Sequence, residues 1–113
     1  MPRTVLVAES DRDVCCTLAD LLSLHDCGVM LAHDAITALH IAQTSVPCLV
    51  LFDMMLRGGQ ELLPALVQTG VPVVTMSTWA RDPKPEGAVA QLGKPFELDK
   101  LLALVARYCG PES

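Results

Sequence analysis

The chain has few aromatic residues: Phe, Trp and Tyr make up 4 % of 113 residues. A base-stacking platform for single-stranded nucleic acid needs more of them. No run of Lys and Arg is present, and thirteen acids against eight bases leave a net charge of −5. That balance argues against nonspecific binding to nucleic acid or to an anionic membrane. No stretch approaches the roughly 18 consecutive apolar residues of a membrane span. The start, Met1-Pro2-Arg3-Thr4-Val5, lacks the apolar core of a secretion signal. There is no Gly-rich Walker loop and no GxGxxG, so nucleotide binding has no support. The five cysteines are odd in number and show no CxxC spacing. Cys15 and Cys16 are adjacent, and Cys48 and Cys109 lie in apolar runs. The expectation is reduced thiols in a cytoplasm, without a metal or redox role. His25, His33 and His40 are too scattered for a metal cluster.

What is present is core-forming material. Hydrophobic residues make up 51 % and charged ones 19 %, the balance of a folded domain rather than a disordered one. The length suits a single domain over 1–113. The acidic surplus is lopsided: residues 1–56 hold seven acids and two bases, whereas 57–113 hold six of each.

Short apolar runs alternate with helical patterns. Thr4–Ala8 is a β-branched run that stops at Glu9-Ser10-Asp11. Val14, Leu18, Leu21 and Leu22 follow at helical spacing, and Gly28 opens the run Val29–Ala32. Asp34 can cap a second helix with Ala35, Leu39 and Ala42 on one face. Cys48–Phe52 has no polar alternation, the mark of a strand covered on both faces. A third helix fits Gln60–Gln68, with Pro64 tolerable only in its first turn. Val71–Met76 is the fourth strand and Ala88–Leu92 a weak fifth. Between them Asp82-Pro83-Lys84-Pro85 is poor helix material. Glu97–Tyr108 carries the stripe Leu98, Leu101, Leu102, Val105, with acids in its first turn and Gly110-Pro111 after it. Alternating βα units predict a flavodoxin-like, doubly wound sheet of five parallel strands in the order 2-1-3-4-5. Its ligand site is expected beyond the carboxyl ends of the strands.

Those ends hold Glu9-Ser10-Asp11, Asp53, Ser77-Thr78 and Lys94-Pro95-Phe96. Carboxylates, a hydroxyl and an ammonium around one spot suit a hard cation and a phosphoryl group. With these motifs the chain resembles the receiver domain of two-component response regulators. The resemblance rests on Val5-Leu6-Val7-Ala8-Glu9, Pro47–Leu56 around Asp53, Pro72-Val73-Val74-Thr75-Met76-Ser77 and Lys94-Pro95-Phe96. It implies a signalling module rather than an enzyme. Asp53 would accept a phosphoryl group from a histidine kinase or a phosphotransfer protein, in a phosphorelay that ends on a downstream protein target. Lys94 would pair with the phosphoryl oxygens and Ser77 would bond the phosphate. Mg²⁺ would be held by Glu9, by Asp53 and by the backbone carbonyl of Met55. Neither nucleic acid nor membrane is an expected partner, and a stand-alone cytoplasmic domain is the expected form.

Several positions depart from that pattern. Ser10 stands where the family carries a second acid, which predicts weak Mg²⁺ binding unless Asp11 turns inward or Glu9 reaches further. Ser10 fits equally well as a helix cap, with Asp13 three residues on. Arg57 replaces a proline and is a candidate substitute cation over the pocket, and Glu61 replaces a glycine. The stretch from Ser77 to Lys94 is short, so the family's fourth helix is expected to be shortened or missing. Gln91 takes the place of an aromatic switch residue. Trp79, the single tryptophan, reads as packing or as a partner anchor, and Met54-Met55 reads as core filler. The alternative reading is a pseudo-receiver, the same fold used for phosphorylation-independent protein–protein interaction. An unrelated flavodoxin-like binder or hydrolase is the third.

Overall fold

The computed structural model describes residues 3–78 and 83–110. In chain order the elements are β1 (Thr4–Ala8), α1 (Arg12–Leu24), β2 (Gly28–Ala32), α2 (Ala35–Ser45), β3 (Leu49–Asp53), α3 (Gly59–Gln68), β4 (Val73–Ser77), β5 (Ala90–Gly93) and α4 (Leu98–Cys109). The strands form one sheet in the order β2-β1-β3-β4-β5, and every pairing is parallel. This is the expected flavodoxin-like topology.

Side-chain alternation along the strands builds two apolar layers. Val5, Val7, Leu49, Leu51, Val74 and Met76 face α1 and α4, through Cys15, Leu18, Leu22, Leu101 and Val105. Leu6, Ala8, Val50, Phe52 and Val73 face α2 and α3, through Ala35, Ala38, Ala42, Leu63 and Leu66. All five residues of β3 and of β4 are buried. A strand covered on both faces has no solvent side to demand polar residues, which explains why their polar members, Asp53, Thr75 and Ser77, are buried too.

The helix starts correct one expectation and bear out another. Asp11, not Ser10, caps α1: its carboxylate accepts from the backbone N–H of Asp13 and Val14. An Asp cap serves because a carboxylate meets both the orphan donors and the positive end of the helix dipole. Asp34 caps α2 as expected, at 2.7 Å from the Thr37 nitrogen. Pro64 lies inside α3, beyond its first turn. It costs one backbone hydrogen bond there, tolerated because Pro64 is on the exposed side.

Among the described residues between β4 and β5 there is no helix. Instead the chain from Pro83 crosses close to α3. Gly87 has φ of 88°, and a Cβ there would stand 2.6 Å from the Val67 Cγ1. A side chain at that position is therefore excluded twice, by backbone conformation and by space. Ala88 is buried and the Val89 N–H bonds to the Val73 carbonyl at 2.9 Å, which leads the chain into β5. Trp79 and Asp82 lie outside the described residues. No helix of the described residues is long and apolar enough to cross a membrane.

The cysteine expectation fails at one pair. Cys48 and Cys109 form a disulfide, with Cα atoms 5.2 Å apart. Cys15, Cys16 and Cys27 are free. Partners separated by 61 residues leave no local spacing signal, and only the docking of α4 beside the base of β3 brings them together.

Candidate functional site

The carboxyl ends of β1, β3, β4 and β5 converge. Glu9 follows β1 directly, Asp53 is the last residue of β3, Ser77 is the last of β4, and Lys94 follows β5. Parallel strands in register force these four positions to one edge. Backbone bonds fix the turns that carry them. The Glu9 N–H bonds to the Ala32 carbonyl at 3.1 Å, and the Lys94 N–H to the Ser77 carbonyl at 2.9 Å.

Glu9 and Asp53 are both 1 % exposed. Carboxylates are rarely so buried without partners, and here each oxygen has one. Lys94 Nζ lies 2.6 Å from Glu9 Oε2 and 3.3 Å from Asp53 Oδ1. The other Glu9 oxygen accepts the Asp11 N–H at 3.2 Å. Asp53 Oδ1 also accepts the Met55 N–H at 2.9 Å. Ser10 donates its hydroxyl to Asp53 Oδ2 at 3.2 Å. One ammonium thus bridges two buried acids, and a serine closes the remaining oxygen.

The two acids titrate apart. Burial pushes the Glu9 carboxyl above the usual carboxylate range, and the Lys94 contact only partly offsets it. Burial also opposes ionisation of Asp53, but the Met55 N–H, Glu9 and Lys94 outweigh it and hold Asp53 below that range. Lys94 loses some hydration, yet its bonds to Glu9 and its attraction to Asp53 keep it protonated above its ordinary range. Like charges this close cannot both ionise freely. Asp53 holds the charge, and Glu9 takes the first proton.

Other expected contributors are placed differently. The Asp11 carboxylate is engaged with the start of α1, so it does not turn inward to replace the acid missing at Ser10. Arg57 is exposed; its charge acts on Asp34, while Asp53 is met by Lys94. Met54 packs against the α2–α3 layer, but Met55 is 74 % exposed and is no core filler. Its backbone is what matters, because its N–H orients Asp53. Ser77 is buried at the pocket's edge. Gln91 accepts a bond from the Thr75 hydroxyl at 3.0 Å, so the position expected to differ from an aromatic switch is tied to the buried middle of β4.

The oxygen donors here match the chemistry of a hard cation. The two carboxylates form a set of low charge, because Ser10 brings a neutral hydroxyl. Among the described residues no three of His, Cys, Asp and Glu are grouped as metal ligands. Beside Lys94 lies a cavity of about 230 Å³, lined by Asp13, Val14, Thr17, Lys94, Pro95 and Phe96.

Comparison with known proteins agrees with this fold. The response regulator MprA of Mycobacterium tuberculosis (strain ATCC 25618 / H37Rv) is 34 % identical over 108 residues, covering 88 % of this chain and 47 % of that protein. The MprA of Mycobacterium avium (strain 104) matches to the same extent. The chain spans about half the length of the curated relatives it matches. Among solved structures, a receiver domain of a LuxO repressor protein from Vibrio parahaemolyticus superposes with a TM-score of 0.84 at 19 % identity, covering 96 % of this chain and 91 % of that one. The receiver domain of the sensor histidine kinase PA1611 from Pseudomonas aeruginosa PAO1 gives 0.80 at 21 % identity, covering 97 % and 99 %. That structure has a magnesium ion coordinated in its active site cleft. No protein-family model matches the chain. Fold and curated relatives together make it a response-regulator receiver domain of the CheY-like kind. Such domains are signalling modules of two-component systems.

Proposed function

We propose that the chain receives a phosphoryl group on Asp53 within a two-component phosphorelay, from a histidine kinase or a phosphotransfer protein. The observation that carries this reading is the state of Asp53: a buried carboxylate kept ionised by Lys94 and the Met55 N–H. A nucleophile must be deprotonated to attack. Oδ1 is committed to two donors, whereas Oδ2 meets the Ser10 hydroxyl, which rotates away at low cost. Oδ2 is therefore the attacking oxygen. Its bond to phosphorus forms as the phosphorus–nitrogen bond of a phosphohistidine breaks, and the leaving imidazole takes a proton from water.

The other residues position and neutralise. The Lys94 ammonium would face the oxygens of the incoming group, and the Ser77 hydroxyl would donate to one of them. Glu9, Asp53 and the Met55 carbonyl are the residues that would hold Mg²⁺, whose bound charge neutralises phosphoryl oxygens. The mostly apolar cavity beside Lys94 gives a donor protein a surface next to the reacting atoms. The downstream target is a protein, and the site works on the cytoplasmic side where such donors operate.

A second reading has its own observation. Every carboxylate oxygen already has a protein donor, an arrangement that a phosphorylation-independent interaction module would also retain. Acetyl phosphate with Mg²⁺, followed by intact mass, separates the two. The expected result is one phosphoryl adduct that Asp53→Asn abolishes. Absence of an adduct, from acetyl phosphate and from a cognate kinase alike, would leave the interaction module as the function.

A further inference from the structure

We propose that Cys48 and Cys109 are a reversible thiol–disulfide site, a redox-responsive brace beneath the strand-end pocket, and that its reaction partners are small thiols and disulfides of the glutathione class. The proposal does not depend on phosphoryl transfer. The Cα atoms stand 5.2 Å apart, inside the range a disulfide requires. The bond can therefore open and close without a large backbone shift. Both residues are half-buried, so a small thiol reaches them while a folded protein core does not intervene.

One further observation argues for reversibility. The chain keeps three free cysteines, and one of them, Cys16, is exposed and is the competing thiol in any exchange. The reduced state has a place for its new donor. Cys48 Sγ lies 3.2 Å from the Thr4 carbonyl oxygen, an acceptor for the S–H that the disulfide lacks. Opening the bond therefore leaves the Cys48 thiol with an acceptor at the base of the sheet.

The brace joins two elements whose other ends carry the charged pair. β3 begins one residue after Cys48 and ends at Asp53, and α4 begins shortly after Lys94 and ends at Cys109. Asp53 and Lys94 meet at 3.3 Å on one side of the sheet, and the two sulfurs meet on the other. Leu101 and Val105 of α4 are fully buried, so the helix stays docked when the bond opens. The change falls on its last turn, Arg107–Cys109. Chemically, the disulfide takes two electrons from two reductant thiols. The sulfur–sulfur bond breaks, each cysteine sulfur gains a proton, and the reductant sulfurs join as their own disulfide. A small-molecule disulfide reverses the exchange.

The test uses the full chain carrying Cys16→Ser, which removes the exposed thiol from the exchange. The protein is equilibrated in glutathione buffers from oxidising to reducing. Free thiols are counted by alkylation and mass, and hydrogen exchange is followed across α4. The expected result is a single transition between closed and open pair. At the same buffer ratio, exchange in the last turn of α4 rises by about tenfold. A Cys48→Ala/Cys109→Ala variant should show the faster exchange at every ratio. A pair closed across the whole range is a permanent staple and overturns the proposal, as does a pair that never closes. A transition without altered exchange in α4 overturns the brace.

Discussion

β3 joins two kinds of chemistry. At its amino end Cys48 is half-buried and covalently tied to the last residue of α4. At its carboxyl end Asp53 is buried against a lysine, a serine and a backbone N–H. The base is held by one bond that needs no hydration and no counter-charge. The top is held by mutual compensation: Glu9, Asp53 and Lys94 are each costly to bury alone and tolerable only together. A covalent closure can be lost without leaving a charge behind, whereas removing one member of the upper trio strands the others. The difference places buried charge at the top of the strand and a covalent closure at its base.

Substitutions at each end probe that contrast. The largest effect on stability is expected at the base. Cys48→Ala/Cys109→Ala releases a 61-residue closure, which chain entropy values at roughly 4 kcal/mol against the oxidised protein. Urea unfolding measures it, and a loss near zero would mean that the base is held by packing alone. At the top, Lys94→Ala leaves two buried carboxylates facing each other and should cost about 3 kcal/mol. Adding Glu9→Gln should restore much of that loss, because the remaining acid no longer faces a like charge. An unchanged urea midpoint for Lys94→Ala would remove the compensation argument.

Smaller effects sharpen the upper end. Ser10→Asp supplies the missing carboxylate, and Mg²⁺ affinity measured by calorimetry should rise about tenfold or more. No rise would show that Glu9 and Asp53 set the affinity without it. The smallest expected effect is at Asp34, which also lies past a strand end but outside the buried pocket. The Thr37 N–H holds its carboxyl below the usual range. Its folded-state value is thus depressed, so its stabilisation is present above the unfolded value and is lost as pH falls through the folded one. Melting temperatures against pH should show Asp34→Asn keeping the cap while losing that acid-side dependence. Asp34→Ala should lose the cap at neutral pH as well.

Much of this was legible in advance because it is written locally. The apolar run Cys48–Phe52 marks β3 as a central strand, since a strand buried on both faces has no polar alternation to display. Asp34 and Gly58 punctuate the chain where helices begin. Glu9, Asp53, Ser77 and Lys94 could be singled out because a parallel sheet delivers all strand ends to one edge. The misses share a cause. Ser10 and Asp11 are both good helix caps by composition, and only the direction of the turn after β1 decides that Asp11 caps and Ser10 reaches Asp53. Met55 looks like core by hydropathy, yet it points to solvent because β3 ends two residues earlier.

The amino-acid order by itself determined the strand and helix succession, the parallel topology and the acids that gather at one edge. Each follows from periodicity, capping and strand direction, which act over a few residues. Tertiary structure alone decided who holds whom. It set Lys94 on Glu9 rather than only on Asp53, aimed Asp11 away from the pocket, and paired Cys48 with Cys109 across 61 residues. Those choices depend on distances of a few ångströms between segments far apart in the chain, and no local pattern encodes such distances.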